Sequence, residues 1–197
     1  MKKLILLIVS LLAVFPIYLF PQISDDFSDG DFIENPAWSG DDSLFVVNEQ
    51  QQLQLQASAA GNAALVLPNS IEESEMEWRF RIRLAFSPSD NNYARVFLMA
   101  DSIDLRAPTL SGFFLQFGEA GSNDVIELFH LSENQKNTVC RGRASVSSSF
   151  TYNIKVNKNA QNHWQLWVDS HSSGIYSLDA EGDCLSVAQP VSNRAFG

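Results

Sequence analysis

The segment MEWRFRIRLAF (residues 76–86) alternates with a period of two. Met76, Trp78, Phe80, Ile82, Leu84 and Phe86 fall on one side; Glu77, Arg79, Arg81, Arg83 and Ala85 fall on the other. Successive side chains of a strand point to opposite faces, so this is the pattern of a half-buried β-strand and not of a helix. The apolar face must be covered by a second layer. Burying six such side chains contributes on the order of 10 kcal/mol before conformational entropy is counted. Arg79, Arg81 and Arg83 are then the outward face of the same strand.

Period-two patterning recurs along the chain after residue 43, and no window of 11 or more residues keeps an i, i+3, i+4, i+7 stripe. LFVV (residues 44–47) and LQLQ (residues 53–56) flank NEQQQ as a hairpin, AALVL ends at Pro68, and SPSDNN supplies turn chemistry after the arginine strand. YARVFLMAD (residues 93–101) is apolar on both faces apart from Arg95, which predicts a central strand covered on both sides. GFFLQFG, DVIELFHL, FTYNIKVNK and HWQLWVD follow, and GIYSLDAEGD is a further candidate strand. Nine or ten short strands separated by turn signals predict an all-β, two-sheet antiparallel sandwich with the layers about 10 Å apart.

The first 20 residues, MKKLILLIVSLLAVFPIYLF, carry two lysines and then an apolar run broken by Ser10 and Pro16, the n- and h-regions of a secretory signal. We place the cut near Ser24, which gives a signal peptide of residues 1–24 and a single sandwich domain of residues 25–197. An uncleaved anchor is the alternative, weakened by the short run and by Pro16. Loss of Lys2 and Lys3 leaves 11 basic against 23 acidic residues, a net charge of −12. That field repels nucleic acid and anionic membranes, so no nucleic-acid partner is expected and membrane contact is limited to the signal segment. In an oxidising compartment Cys140 and Cys184 are expected to pair, and closing that loop would stabilise by roughly 4 kcal/mol in the chain-entropy model. Two buried thiols are the alternative.

Several segments, DDFSDGDF, NPAWSGD, NNYARVFLMAD, GFFLQFG, NDVIELF and the W-x-L-W-V-D of residues 164–169, occur in an order that resembles a known module. This is the concanavalin A-like (LamG-like) jelly roll found at the N-terminus of large secreted surface proteins of gliding-type Gram-negative bacteria, often upstream of lamin-tail domains. The similarity runs from about residue 25 to residue 197. It implies a chain exported to the outside of the cell or its outer envelope, with further domains downstream. Such modules finish with two further strands, whereas this sequence stops at SNRAFG. The resemblance therefore implies a sandwich that lacks its last strands, and a missing segment could carry a cysteine that competes for Cys140 or Cys184.

Jelly rolls of this kind include β-glucanases, whose two Glu residues flank an Asp on one strand and stand about 5 Å apart across the sugar for retaining hydrolysis. The nearest match is SNDVIE (residues 122–127). It supplies Asp124 and Glu127, but Ser122 stands where the nucleophilic Glu is required, so no enzyme is expected. His130, His163 and His171 lie in no serine elbow, thiol pair or metal-spaced cluster. In DDFSDGDF, Phe27 occupies the third position of an EF-hand count, which removes that motif. A looser structural calcium site built from Asp26, Asp29 and Asp31 stands against a turn in which Asp29 and Gly30 satisfy the backbone.

Relatives of this class bind glycans on the outer face of a concave sheet, where aromatic rings stack on sugars and planar polar groups bond hydroxyls. HWQLWVD places His163, Gln165, Trp167 and Asp169 on one face. If that strand shares a sheet with residues 76–86, Arg79, Arg81, Arg83, Trp167 and His163 form a candidate surface for an extracellular glycan. The alternative is cross-strand charge pairing, with each Arg opposite Asp or Glu and Trp167 over an Arg stem. The function expected is a non-catalytic, exported recognition or adhesion module; a divergent glycoside hydrolase and a structural spacer are the competing readings.

Overall fold

The computed structural model describes residues 22–71, 73–184 and 195–197, so nearly all of the expected signal segment lies outside the described residues. Within them the chain forms strands β1 (Ser39–Gly40), β2 (Phe45–Val47), β3 (Leu53–Leu55), β4 (Leu65–Pro68), β5 (Met76–Leu84), β6 (Ala94–Ala100) and β7 (Gly112–Phe117). Then come β8 (Val125–Ser132), β9 (Gln135–Ser145), β10 (Phe150–Lys158), β11 (His163–Asp169), β12 (Ser177–Asp183) and β13 (Ala195–Phe196). A seven-stranded sheet runs β1-β4-β13-β6-β7-β8-β9, a four-stranded sheet runs β12-β11-β10-β5, and β2 pairs with β3 alone. All pairings are antiparallel. The protein is an all-β sandwich.

The alternation of β5 decides which face is inside. Met76, Trp78, Phe80, Ile82 and Leu84 pack on the main core, while Glu77, Arg79, Arg81 and Arg83 are exposed. Phe86 is the exception to the expected pattern. It lies past the end of the strand and is 40% exposed, because pairing with β10 stops at Leu84 opposite Phe150. Four rings cross the interior in a stack. His130 lies on Phe113 at 4.6 Å, Phe113 on Trp164 at 4.5 Å, and Trp164 on Trp78 at 5.6 Å. The stack ties β8 and β7 of one sheet to β11 and β5 of the other, and stacked pairs of this kind add about 0.5–1.5 kcal/mol beyond burial.

The seven-stranded sheet is covered on its other face as well. Phe97, Phe114 and Phe129 form a smaller core with Leu110, against which Leu105 and Ala107 pack. The two-sided apolar character of β6 is therefore satisfied as its sequence implies.

The sheets also meet along a seam between β9 and β12. There a Cβ on Gly142 would sit 2.0 Å from an Asp179 carboxylate oxygen, and one on Gly182 would sit 2.1 Å from the Val139 carbonyl oxygen. Asp179 stands at an irregularity of the β11–β12 pairing, where Leu166 faces Ala180 but Trp167 faces Leu178. A bulge leaves one residue unpaired and re-aims its side chain. The carboxylate of Asp179 accepts from the backbone N–H of Arg143, at 3.1 Å to each oxygen, and of Ala144, at 2.9 Å. In this way β12 caps donors on the outer edge of β9.

Two expectations change here. Cys140 and Cys184 are both buried in the main core but are not joined by a disulfide. The β12 residue that faces Cys140 across the seam is Gly182. Cys184 is two residues further, a displacement of roughly 6.6 Å along a strand, which added to the strand spacing exceeds the Cα separation of up to about 7 Å that a bridge tolerates. Burial pushes the Cys140 thiol up to about 12. The chain also has a strand where none was expected near its last residue. Ala195 and Phe196 pair with β4, Ala195 also pairs with Ala100 of β6, and Gly197 donates to the Phe97 carbonyl at 3.1 Å.

Trp164 is fully buried at the centre of the ring stack. Trp164→Ala is expected to lower unfolding free energy by about 3–5 kcal/mol, measured by urea denaturation.

Candidate functional site

Strand order in the smaller sheet brings the sequence-derived candidates onto one surface. Cross-strand partners form rows on its outer face. Glu77 faces Asn157, which faces Gln165, which faces Glu181. The next row is Arg79, Lys155, Trp167 and Leu178; then come Arg81, Asn153 and Asp169, and finally Arg83 with Thr151. Arg79, Arg81, Arg83, Trp167 and His163 therefore lie on the same face of one sheet. Arginine and tryptophan are not adjacent, however, because β10 runs between β5 and β11.

The residues of β10 determine the character of the surface. Opposite the three arginines it presents Lys155, Asn153 and Thr151, and no acid. Charge pairing across the strands, the simple explanation for an arginine row, is thus missing. Arg79 finds a carboxylate within its own strand, bonding Glu77 at 2.6 Å. Among the described residues no ion pair engages Arg81, Arg83 or Lys155. Lys155 instead places its ammonium 4.5 Å from the centre of the Trp167 ring and 5.6 Å from that of Tyr176. Lys155, and not an arginine stem, covers Trp167. Lys155, Asn153 and Tyr176 are the members of this surface that reading strands one at a time does not find. The outward phase of FTYNIKVNK names Asn153 and Lys155, but their position between β5 and β11 depends on sheet order.

Two groups border the surface. His163 bonds Asp183 through Nδ1 at 2.7 Å and has Glu181 3.4 Å from Nε2. The hydrogen bond to Asp183 raises its pKa, and Glu181 adds to the effect. Asp169, at the end of β11, is buried and accepts from the backbone N–H groups of His171, Ser173 and Gly174, the Ser173 hydroxyl and the Asn153 amide. Burial alone would push this carboxyl up; the hydrogen bonds outweigh it and hold the group well below the ordinary carboxylate range. Asp169 thus organises the β11–β12 loop that carries Tyr176.

On the opposite outer face, that of the seven-stranded sheet, Arg141 is neutralised by acids. Arg141 forms ion pairs with both Glu119 and Glu127, and its Nη1 is 2.8 Å from one and 2.9 Å from the other. Thr138 donates to Glu127 at 2.6 Å. The guanidinium between these carboxylates holds Glu119 below its usual pKa, opposite to the shift that a general acid needs. Asp124, the other acid of the glucanase-like match, is buried and accepts from the Glu119 N–H at 2.7 Å.

In the DDFSDGDF loop the acids bond to nearby backbone N–H groups. Asp26 accepts from Ser28 N–H, Asp29 from Asp31 N–H, and Asp31 from the N–H groups of Ile33 and Glu34. Each carboxylate turns back on its own backbone. Among the described residues, no group of three His, Cys, Asp or Glu side chains is arranged to hold a metal ion. His130 is in the core and burial lowers its pKa, whereas His171 lies exposed in the β11–β12 loop. No helix of the described residues is long and apolar enough to cross a membrane.

No family model, curated protein or solved structure matches the chain.

The His163 shift has a defined sign. A pKa raised on folding gives stability that is fully present below the unfolded value, about 6.5, and is lost as pH rises through the folded value. In an NMR pH titration the His163 ring should titrate above that value, and Asp183→Asn should move it back down. A second expectation concerns the acidic loop: adding calcium and then chelator should leave the thermal midpoint unchanged, and a reversible rise with calcium would contradict the turn assignment.

Proposed function

We propose that this chain is a non-catalytic recognition module of an exported surface protein, with its ligand contacts on the outer face of the four-stranded sheet. The observation that carries this reading is the row Arg79, Lys155, Trp167, flanked by Arg81, Arg83 and Tyr176 on an open sheet surface. Aromatic faces and planar or charged donors are the groups with which proteins hold sugar rings and their substituents. The motif order that resembles concanavalin A-like (LamG-like) modules supports carbohydrate as the ligand class, and the antiparallel sandwich agrees with a jelly roll of that class. The signal-like N-terminus supports export to the cell surface or beyond.

A divergent glycoside hydrolase is the competing reading. Of the two acids in its nearest sequence match, Asp124 is buried and accepts from the Glu119 N–H, and Glu127 is ion-paired with Arg141.

A glycan array tests the proposal. The chain should bind at least one glycan class, and Trp167→Ala should weaken that binding by about tenfold with an unchanged circular dichroism spectrum. No binding to any glycan would end the reading.

A further inference from the structure

The binding face carries more information than a generic glycan platform would. Arg81 and Arg83 are exposed, stand beside Asn153 and Thr151, and engage no carboxylate among the described residues. Lys155 faces Arg79 directly across the strands, and like charges so placed destabilise a sheet. This concentration of unneutralised positive charge occurs in a chain with 23 acidic against 13 basic residues and a net charge of −10. Acids are available in abundance, yet among the described residues the rows of Arg79, Arg81 and Arg83 hold one, the backbone-committed Asp169, and Glu77 in the adjoining row is already paired with Arg79.

We propose that the four-stranded sheet binds an anionic glycan, one carrying carboxylate or sulfate groups, with Arg81, Arg83 and Lys155 as the anion contacts and Trp167 and Tyr176 as the apolar platform. This rests on the recognition reading and specifies its ligand. Alternate strand residues are roughly 6.6 Å apart, so the arginines offer forked donors at intervals along a line of about 13 Å from Arg79 to Arg83. That geometry suits a polymer whose anionic groups are separated by uncharged ring surface. The amides of Asn153 and Asn157, the Thr151 hydroxyl and Gln165 supply hydroxyl partners between them. The same charge balance argues against duplex DNA and anionic bilayers as partners. Duplex DNA carries one negative charge per roughly 1.7 Å of axis, and an anionic bilayer is likewise a continuous field; both are repelled by the acidic remainder of the surface. A discrete acid on a sugar meets mainly the local cations, since charges beyond about 8–10 Å are screened at physiological salt.

The test uses the purified chain with four probes: heparin, polygalacturonate, an uncharged β-glucan and single-stranded DNA. Binding to heparin or polygalacturonate is expected to exceed binding to the neutral glucan at least tenfold and to weaken steeply with added salt. R81A/R83A should lower that affinity by about 100-fold without moving the thermal midpoint. R81K/R83K, which keeps the charge but loses the fork, should fall between the two and serves as the test if the alanine variant does not fold. Binding confined to the neutral glucan, insensitive to salt and to R81A/R83A, would overturn the anionic assignment and leave the recognition module standing. DNA binding as tight as that of the glycans would also overturn it. Absence of any glycan binding would remove both.

Discussion

The structure depends on the burial of one alternating face. With Trp78, Phe80 and Ile82 facing inward, β5 supplies the wall against which Trp164, Ile154 and Val156 close the main core. The register then follows. Trp78 lies opposite Val156 and Phe80 opposite Ile154, and the same β10 residues face Trp164's neighbours on β11. A slip of one residue would exchange the core for the arginines, at the expense of every apolar contact along the strand, which is why the register is unambiguous. The outward surface is a by-product of that constraint: once Ile154 and Val156 are inside, Asn153, Lys155 and Asn157 have to be outside.

Closure of the sandwich rests on smaller devices. At the seam, β9 and β12 approach so closely that two glycines, Gly142 and Gly182, stand where a Cβ would collide. The Asp179 carboxylate, displaced from its strand's alternation, occupies the space beside Gly142 and accepts edge N–H groups of β9. An open strand edge is an aggregation hazard, and a buried acceptor turned on it is one way to remove the hazard. Asp169 does similar work one loop away, taking up the amides of His171, Ser173 and Gly174 and thereby fixing the approach to Tyr176.

Alternation made much of this legible beforehand. The all-β class, the two layers, the inward face of β5, the two-sided cover of β6 and the polar face of β11 all follow from where apolar residues fall. The misses have physical causes. β9, QKNTVCRGRAS, has few apolar residues and a central glycine that reads as a breaker, because its burial is one-sided and its glycine is required by contact with Asp179. β13 is two residues long and gains its order from strands on both sides, not from its own pattern. The expected disulfide came from counting cysteines, whereas the structure depends on which residue of β12 lies opposite Cys140. Strand order was not readable, so the insertion of β10 between the arginines and Trp167, and with it the role of Lys155, emerged from the sheet. In the acidic loop, the turn at Asp29 and Gly30 is legible in the sequence: Asp29 accepts from the Asp31 N–H and Gly30 donates to the Phe27 carbonyl.

Fold and surface both depend on the phase of β5, and thiol accessibility reads that phase directly. Cysteine substituted singly at residues 77–83 would be labelled in the native chain, with buried Cys140 and Cys184 as the slow background. Fast labelling at 77, 79, 81 and 83, with protection at 78, 80 and 82 until denaturant is added, is the predicted result. Uniform labelling along the strand, or protection at the arginine positions, would contradict the structure from which the binding face is inferred.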